Sequence, residues 1–70
     1  MRTAKQQLIH MINQIAENNQ HGGLEKAASV TSIHIQKFWA RSMKKDIVQY
    51  LNTDGADLSE TSKAAIKLLS

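Results

Sequence analysis

The chain has 70 residues, 41% of them hydrophobic, with a formal net charge of +3, no cysteine and no proline. One small domain over residues 1–70 is all this length allows, burying only roughly 60% of its unfolded surface. Disulfides are excluded, the N-terminal MRTAKQQLIHM is amphipathic rather than a secretory signal, and no run approaches the roughly 20 apolar residues of a transmembrane helix. A soluble, cytoplasmic protein is therefore expected. Its mild basicity permits nucleic acid as a partner without requiring it.

Glycine occurs at two places, Gly22-Gly23 and Gly55, and these divide the chain into helical pieces. The first piece opens on Thr3-Ala4-Lys5-Gln6, a hydroxyl followed three residues later by Gln, which is the pattern of a capping box. Leu8, Met11, Ile12 and Ile15 follow at helical spacing, and Ile9 and Ala16 widen the stripe. The helix is predicted to fade over residues 17–21 and stop at the glycine pair. Asn13-Gln14 lies beside the stripe, where an amide serves as a bond to another helix, to a partner or to solvent.

The second piece starts near Leu24. Leu24, Ala27, Ala28, Thr31, Ile35 and Phe38 share a face, and Val30, Ile33 and Lys37 lie off it. The β-branched run VTSIHI also reads as a strand, but a strand with no second one to pair with is unstable, so helix is preferred. Small Ala27 and Ala28 let a neighbouring helix approach closely. The third piece covers residues 40–51; Met43, Ile47, Tyr50 and Leu51 share one stripe with Trp39 just before it, with Arg41, Lys44, Lys45 and Gln49 mostly turned away. Residues 52–55, Asn-Thr-Asp-Gly, read as a turn. Ser59 is the expected N-cap of a last helix that carries Ala65, Ile66 and Leu69 inward. The expected architecture is all-α, a small bundle of about four helices with short loops, the second and third nearly continuous at Phe38–Trp39.

Little here suits catalysis. No two of His10, His21 and His34 stand at a compact metal-ligand spacing; His10 reads as exposed, His21 as a turn residue and His34 as partly buried. The glycines match no phosphate-binding loop. The unusual stretch is HIQKFWARSMKKD at residues 34–46, which holds the only Phe, the only Trp and Lys37, Arg41, Lys44 and Lys45. Neighbouring helical residues point about 100° apart, so Phe38 and Trp39 cannot both face one narrow stripe. Either a bend turns both rings inward, or one ring belongs to a partner interface, where Trp and Arg are enriched. A third reading uses Lys37, Arg41 and Lys44 as one basic stripe for phosphates, which makes a small nucleic-acid-binding protein the alternative; it lacks a helix-turn-helix or RNA-binding aromatic pattern. Self-association through an exposed apolar stripe is a further possibility.

Two stretches add a resemblance. Leu8-Ile9-His10-Met11-Ile12-Asn13-Gln14-Ile15-Ala16, and His34-Ile35-Gln36-Lys37-Phe38-Trp39 followed by Met43, resemble the delta subunit of NAD-dependent, molybdenum-containing formate dehydrogenase. Gly55, Leu58 and Ser59 match its closing segment. The chain departs from that pattern in having Ala40-Arg41-Ser42 where Asp-Pro-Arg is usual, which predicts a more continuous corner, and Asn18-Asn19 where aromatic residues are usual. The resemblance implies a non-catalytic accessory subunit that binds no cofactor itself. It implies the larger formate dehydrogenase subunits as partners, the catalytic molybdenum subunit first among them, in a complex carrying molybdenum bis-pterin guanine dinucleotide, iron–sulfur clusters and FMN. The expected partner-binding residues are Asn13, Gln14, His34, Lys37, Phe38, Trp39, Arg41 and Met43.

Overall fold

The computed structural model describes residues 3–69, without the side chain of His21. The chain forms α1 (Ala4–Asn18), a 3-10 turn (Gln20–Gly22), α2 (Leu24–Phe38), α3 (Arg41–Thr53) and α4 (Glu60–Leu69), and no strand occurs among the described residues. The all-α expectation holds, and VTSIHI is helical.

α1 starts as its sequence predicts. Thr3 Oγ1 accepts from the Gln6 N–H at 3.1 Å, and Gln6 Oε1 accepts from the Thr3 N–H at 2.9 Å. The pair satisfies two donors near a helix start that would otherwise rely on water. At the far end Asn19 Nδ2 donates to the Ile15 carbonyl at 2.8 Å, so the polar pair at 18–19 closes the helix. Gly23 follows at φ 90°, where a side chain is disfavoured, and its carbonyl accepts from the Ala27 N–H in the first turn of α2.

Leu8, Ile9 and Ile12 of α1 meet Ile35 of α2, Ile47 and Tyr50 of α3, Leu58 of the last loop and Ile66 of α4 in one cluster that also takes in Trp39. The most extensive helix contact is between α2 and α4. Their buried faces are made of short side chains, Ala27, Ala28, Thr31 and Ser32 against Thr61, Ser62 and Ala65. Short side chains at a contact bring helix axes close, as Ala27 and Ala28 predict. This seam carries one local cost. Thr31 is fully buried and its Oγ1 has no hydrogen-bond partner among the described residues. Leaving such a group unpaired costs ~1–3 kcal/mol. Thr31→Val keeps the shape and removes the hydroxyl, so it is expected to stabilise the protein by about 1 kcal/mol; a urea midpoint below that of the parent chain would contradict this.

Two expectations about the middle of the chain need correction, and one open choice is decided. α2 and α3 are not continuous. Trp39 (φ −89°, ψ 141°) and Ala40 (φ −65°, ψ 156°) are both extended and make a two-residue corner without any proline. The corner does not turn both rings inward, since Trp39 is 6% exposed and Phe38 72%. Trp39 leaves an extended backbone toward the core, while Phe38, the last residue of α2, points outward with its ring against His34. Leu24, at the other end of α2, is also half exposed, beside Ala64 and Leu68 of α4. His34 is exposed rather than partly buried.

The loop between α3 and α4 is fixed by side chains far away in sequence. Gly55 takes φ 69°, and its carbonyl accepts from the Leu58 N–H. The Asp57 N–H donates to the Tyr50 hydroxyl at 3.1 Å, and Asn13 Nδ2 donates to the Asp57 carbonyl at 2.8 Å. Asn13 Oδ1 accepts from the Ser59 N–H at 3.0 Å and from Ser62 Oγ at 2.7 Å. Ser59 caps α4, its Oγ accepting from the Ser62 N–H at 3.1 Å.

Candidate functional site

A helix of fifteen residues has only one face to bury in so small a bundle, and α2 spends that face on Ala27, Ala28, Thr31, Ser32 and Ile35. Its outer face is not polar throughout. Val30 is 39% exposed, Ile33 48% and Phe38 72%. Val30, His34 and Phe38 stand at intervals of four, so they lie one above another along the helix. The His34 and Phe38 rings are in contact, centroids 4.9 Å apart and planes tilted by 47°. Lys26 continues the row at one end and Lys37 stands beside Ile33 at the other, both exposed. The result is an apolar strip with an aromatic end and a lysine near each extremity. Scattered exposed apolar residues mean little, but a contiguous strip rimmed by charge is the composition of an interaction surface.

The residues singled out from sequence fall into five environments. His34, Lys37 and Phe38 are together on the outer face of α2. Trp39 is in the core, and Met43 is half-buried and packs against it. Arg41 is exposed on α3, lining a groove of about 700 Å³ with Lys44 and Lys45. Asn13 is engaged inside the chain by the bonds to Asp57, Ser59 and Ser62, while Gln14 is exposed on α1. The single basic stripe of Lys37, Arg41 and Lys44 does not form, because the corner at residues 39–40 puts Lys37 on a different helix from the other two. The sequence pattern places Val30 and Ile33 only off the core face. The signal that marks them is the excess of β-branched residues in VTSIHI, more than one buried helix face can hold.

Among the described residues no group of three or more His, Cys, Asp or Glu side chains gathers as a metal site, and no helix is long and apolar enough to cross a membrane. Fold and surface together define a small four-helix protein that leaves part of one helix's apolar surface uncovered. The chain belongs to the family of NADH-dependent formate dehydrogenase delta subunits, FdsD, whose family model matches residues 7–66. That span runs from the first turns of α1 to the buried half of α4, so the outer face of α2 and the corner lie within the matched region. No curated protein and no solved structure matches the chain.

Proposed function

We propose that this chain is a non-catalytic accessory subunit that docks on the larger subunits of an NAD-dependent formate dehydrogenase and stabilises their assembly. Its partner in this reading is the cytoplasmic catalytic subunit that holds molybdenum bis-pterin guanine dinucleotide, within a complex that also carries iron–sulfur clusters and FMN. The delta chain supplies surface rather than ligands, and assistance in assembling the molybdenum-loaded enzyme follows from holding that subunit in place.

The observation that carries this reading, beside the family, is the exposure of Phe38. A phenylalanine buries on the order of 150–250 Å² when covered. At about 25 cal/mol per Å², leaving it in water forgoes several kcal/mol, which a chain this small recovers only by covering the ring elsewhere. His34, Ile33 and Val30 extend the same surface, and Lys37 supplies a charged rim.

The test is Phe38→Ala. Because the ring is 72% exposed, thermal stability is expected to stay within ~0.5 kcal/mol of the parent, as for ordinary surface substitutions. Affinity for the larger subunits is expected to fall by ~2 kcal/mol or more, the loss typical of an interface anchor. Quantitative reconstitution with the purified larger subunits reads this directly. Unchanged affinity would remove the α2 face from the interface.

A further inference from the structure

α3 presents a second surface that the α2 strip does not account for. Arg41, Lys44, Lys45, Val48 and Asn52 are spaced by three, one, three and four residues, so they form one stripe along α3. Gln36 at the end of α2 and Leu69 at the end of α4 stand across from it, leaving an open groove of about 700 Å³. The stripe is ~17 Å long at 1.5 Å per residue. Val48 and Leu69 are half-buried and pack against the core, so the floor is apolar. No Asp or Glu is among the groove's described lining residues.

The charge arrangement is unfavourable for the isolated chain. A helix start is already the positive end of its dipole, and carboxylates are preferred there. α3 has no acidic residue in its first turn, and its N-cap is Ala40, which supplies no capping hydrogen bond. α1 and α4 both have side-chain caps, and α2, which has none, carries Glu25 in its first turn. The sequence instead places Arg41, Lys44 and Lys45 at this end. A local rule broken without an internal compensation is what a surface shaped for a partner displays.

We infer that the α3 groove receives an acidic amphipathic helix of the partner subunit, its carboxylates meeting Arg41, Lys44 and Lys45 and its apolar side chains resting on Val48 and Leu69. This deepens the accessory-subunit reading and rests on it for the identity of the partner. A peptide helix is favoured over nucleic acid by the groove's content. It has an apolar floor and amide side chains at Gln36 and Asn52, and it offers no aromatic ring for bases to stack on. Its three cations are grouped at one end, which suits a short acidic turn better than a phosphate track.

Two measurements test this. The isotope-labelled full chain is titrated with a synthetic glutamate–leucine peptide patterned as an amphipathic helix, with its lysine–leucine counterpart, and with single-stranded oligothymidylate. Amide shifts are expected with the acidic peptide alone, confined to the α3 stripe, Gln36 and Leu69. The K44E/K45E double variant is expected to weaken that binding by about tenfold or more, since like charges then face each other. Its melting temperature should hold or rise, because glutamate suits a helix start; a merely structural role for these lysines would lower it. Shifts elsewhere, or tighter binding of oligothymidylate at the same amides, would overturn the inference. In the second measurement, binding to the larger formate dehydrogenase subunits is compared for the parent and K44E/K45E at low and raised salt. Equal binding by both overturns the groove inference while the accessory reading stands. Failure of the parent to bind, with the acidic peptide still mapping to the groove, overturns the accessory reading and leaves the groove as a site for acidic helices.

Discussion

Trp39→Ala is expected to cost ~3–5 kcal/mol, the range for truncating a buried tryptophan or phenylalanine to alanine. The side chain is 6% exposed and belongs to the cluster that joins all four helices. At roughly 0.05–0.15 kcal/mol per residue, a domain of this size has on the order of 4–10 kcal/mol to lose. The substitution therefore removes about half of the stability, and the melting temperature should drop by on the order of 12–40 °C. Trp39 also stands in the extended corner that joins α2 to α3, so its removal leaves a cavity where the chain changes direction, at a corner whose backbone is tied to the two helices by the Trp39 N–H to the Ile35 carbonyl and the Lys44 N–H to the Ala40 carbonyl. Far-UV circular dichroism during heating and urea titration is the measurement, since the only tryptophan fluorophore is gone. A loss below ~1 kcal/mol would mean that the site collapses onto the gap and that the ring is not central to the core. Phe38→Ala beside it is the internal contrast, adjacent in sequence and opposite in expected consequence.

That contrast shows where sequence reasoning reaches and where it stops. Local signals were legible. Thr3 and Gln6 announce a capping box three residues apart, and both of its hydrogen bonds are present. Ile12, Ile35, Ile47 and Ile66 fall on predicted stripes and are fully buried. Ser59 was expected to cap the last helix and does. These features depend on neighbours within one turn, so periodicity and side-chain chemistry decide them. The fate of Phe38 and Trp39 was not decidable in that way. It depends on two extended residues at the corner, and neither Trp39 nor Ala40 carries a turn signal of the kind glycine or proline provides. The missing proline argued for continuity, but α2 ends without one, at the extended Trp39 and Ala40. The basic stripe failed for the same reason, since a helical wheel drawn through the corner joins residues that belong to different helices. The outer face of α2 was half legible. Phe38, His34 and Lys37 stand out in the sequence, but Val30 and Ile33 show there only as off the core face, and their exposure gives the strip its length.

Asn13 was the residue whose partner no local pattern revealed, because that partner lies more than forty positions away. Its amide is oriented by three bonds at once: Nδ2 to the Asp57 carbonyl, and Oδ1 from both the Ser59 N–H and Ser62 Oγ. Through them α1 holds the loop that precedes α4, and Tyr50 of α3 holds the same loop through the Asp57 N–H. Side chains of α1, α3 and α4 therefore converge on residues 54–59, the chain that connects α3 to α4. Asn13→Leu keeps the size and removes every bond. Each buried group left unpaired costs ~1–3 kcal/mol, less where water reaches it. The Asp57 bond is exposed and the other two are part-buried, so the sum expected is about 3 kcal/mol. Asn13→Asp separates this clamp from plain packing. A carboxylate still accepts from Ser59 and Ser62 and places negative charge at the start of α4, where the helix dipole favours it. It replaces the donation to Asp57 by a carboxylate oxygen facing that carbonyl oxygen, a repulsion that water relieves at this exposed position, so the expected cost is about 2 kcal/mol, still below that of Asn13→Leu. Urea unfolding of the two variants gives the ranking, and amide exchange at Ser59 should quicken in Asn13→Leu and stay slow in Asn13→Asp. Equal destabilisation by both would mean that the amide nitrogen, not the two acceptor bonds, anchors the loop. If instead both variants melt like the parent and lose affinity for the larger subunits, Asn13 acts at the partner surface, and the clamp contributes nothing measurable to the fold.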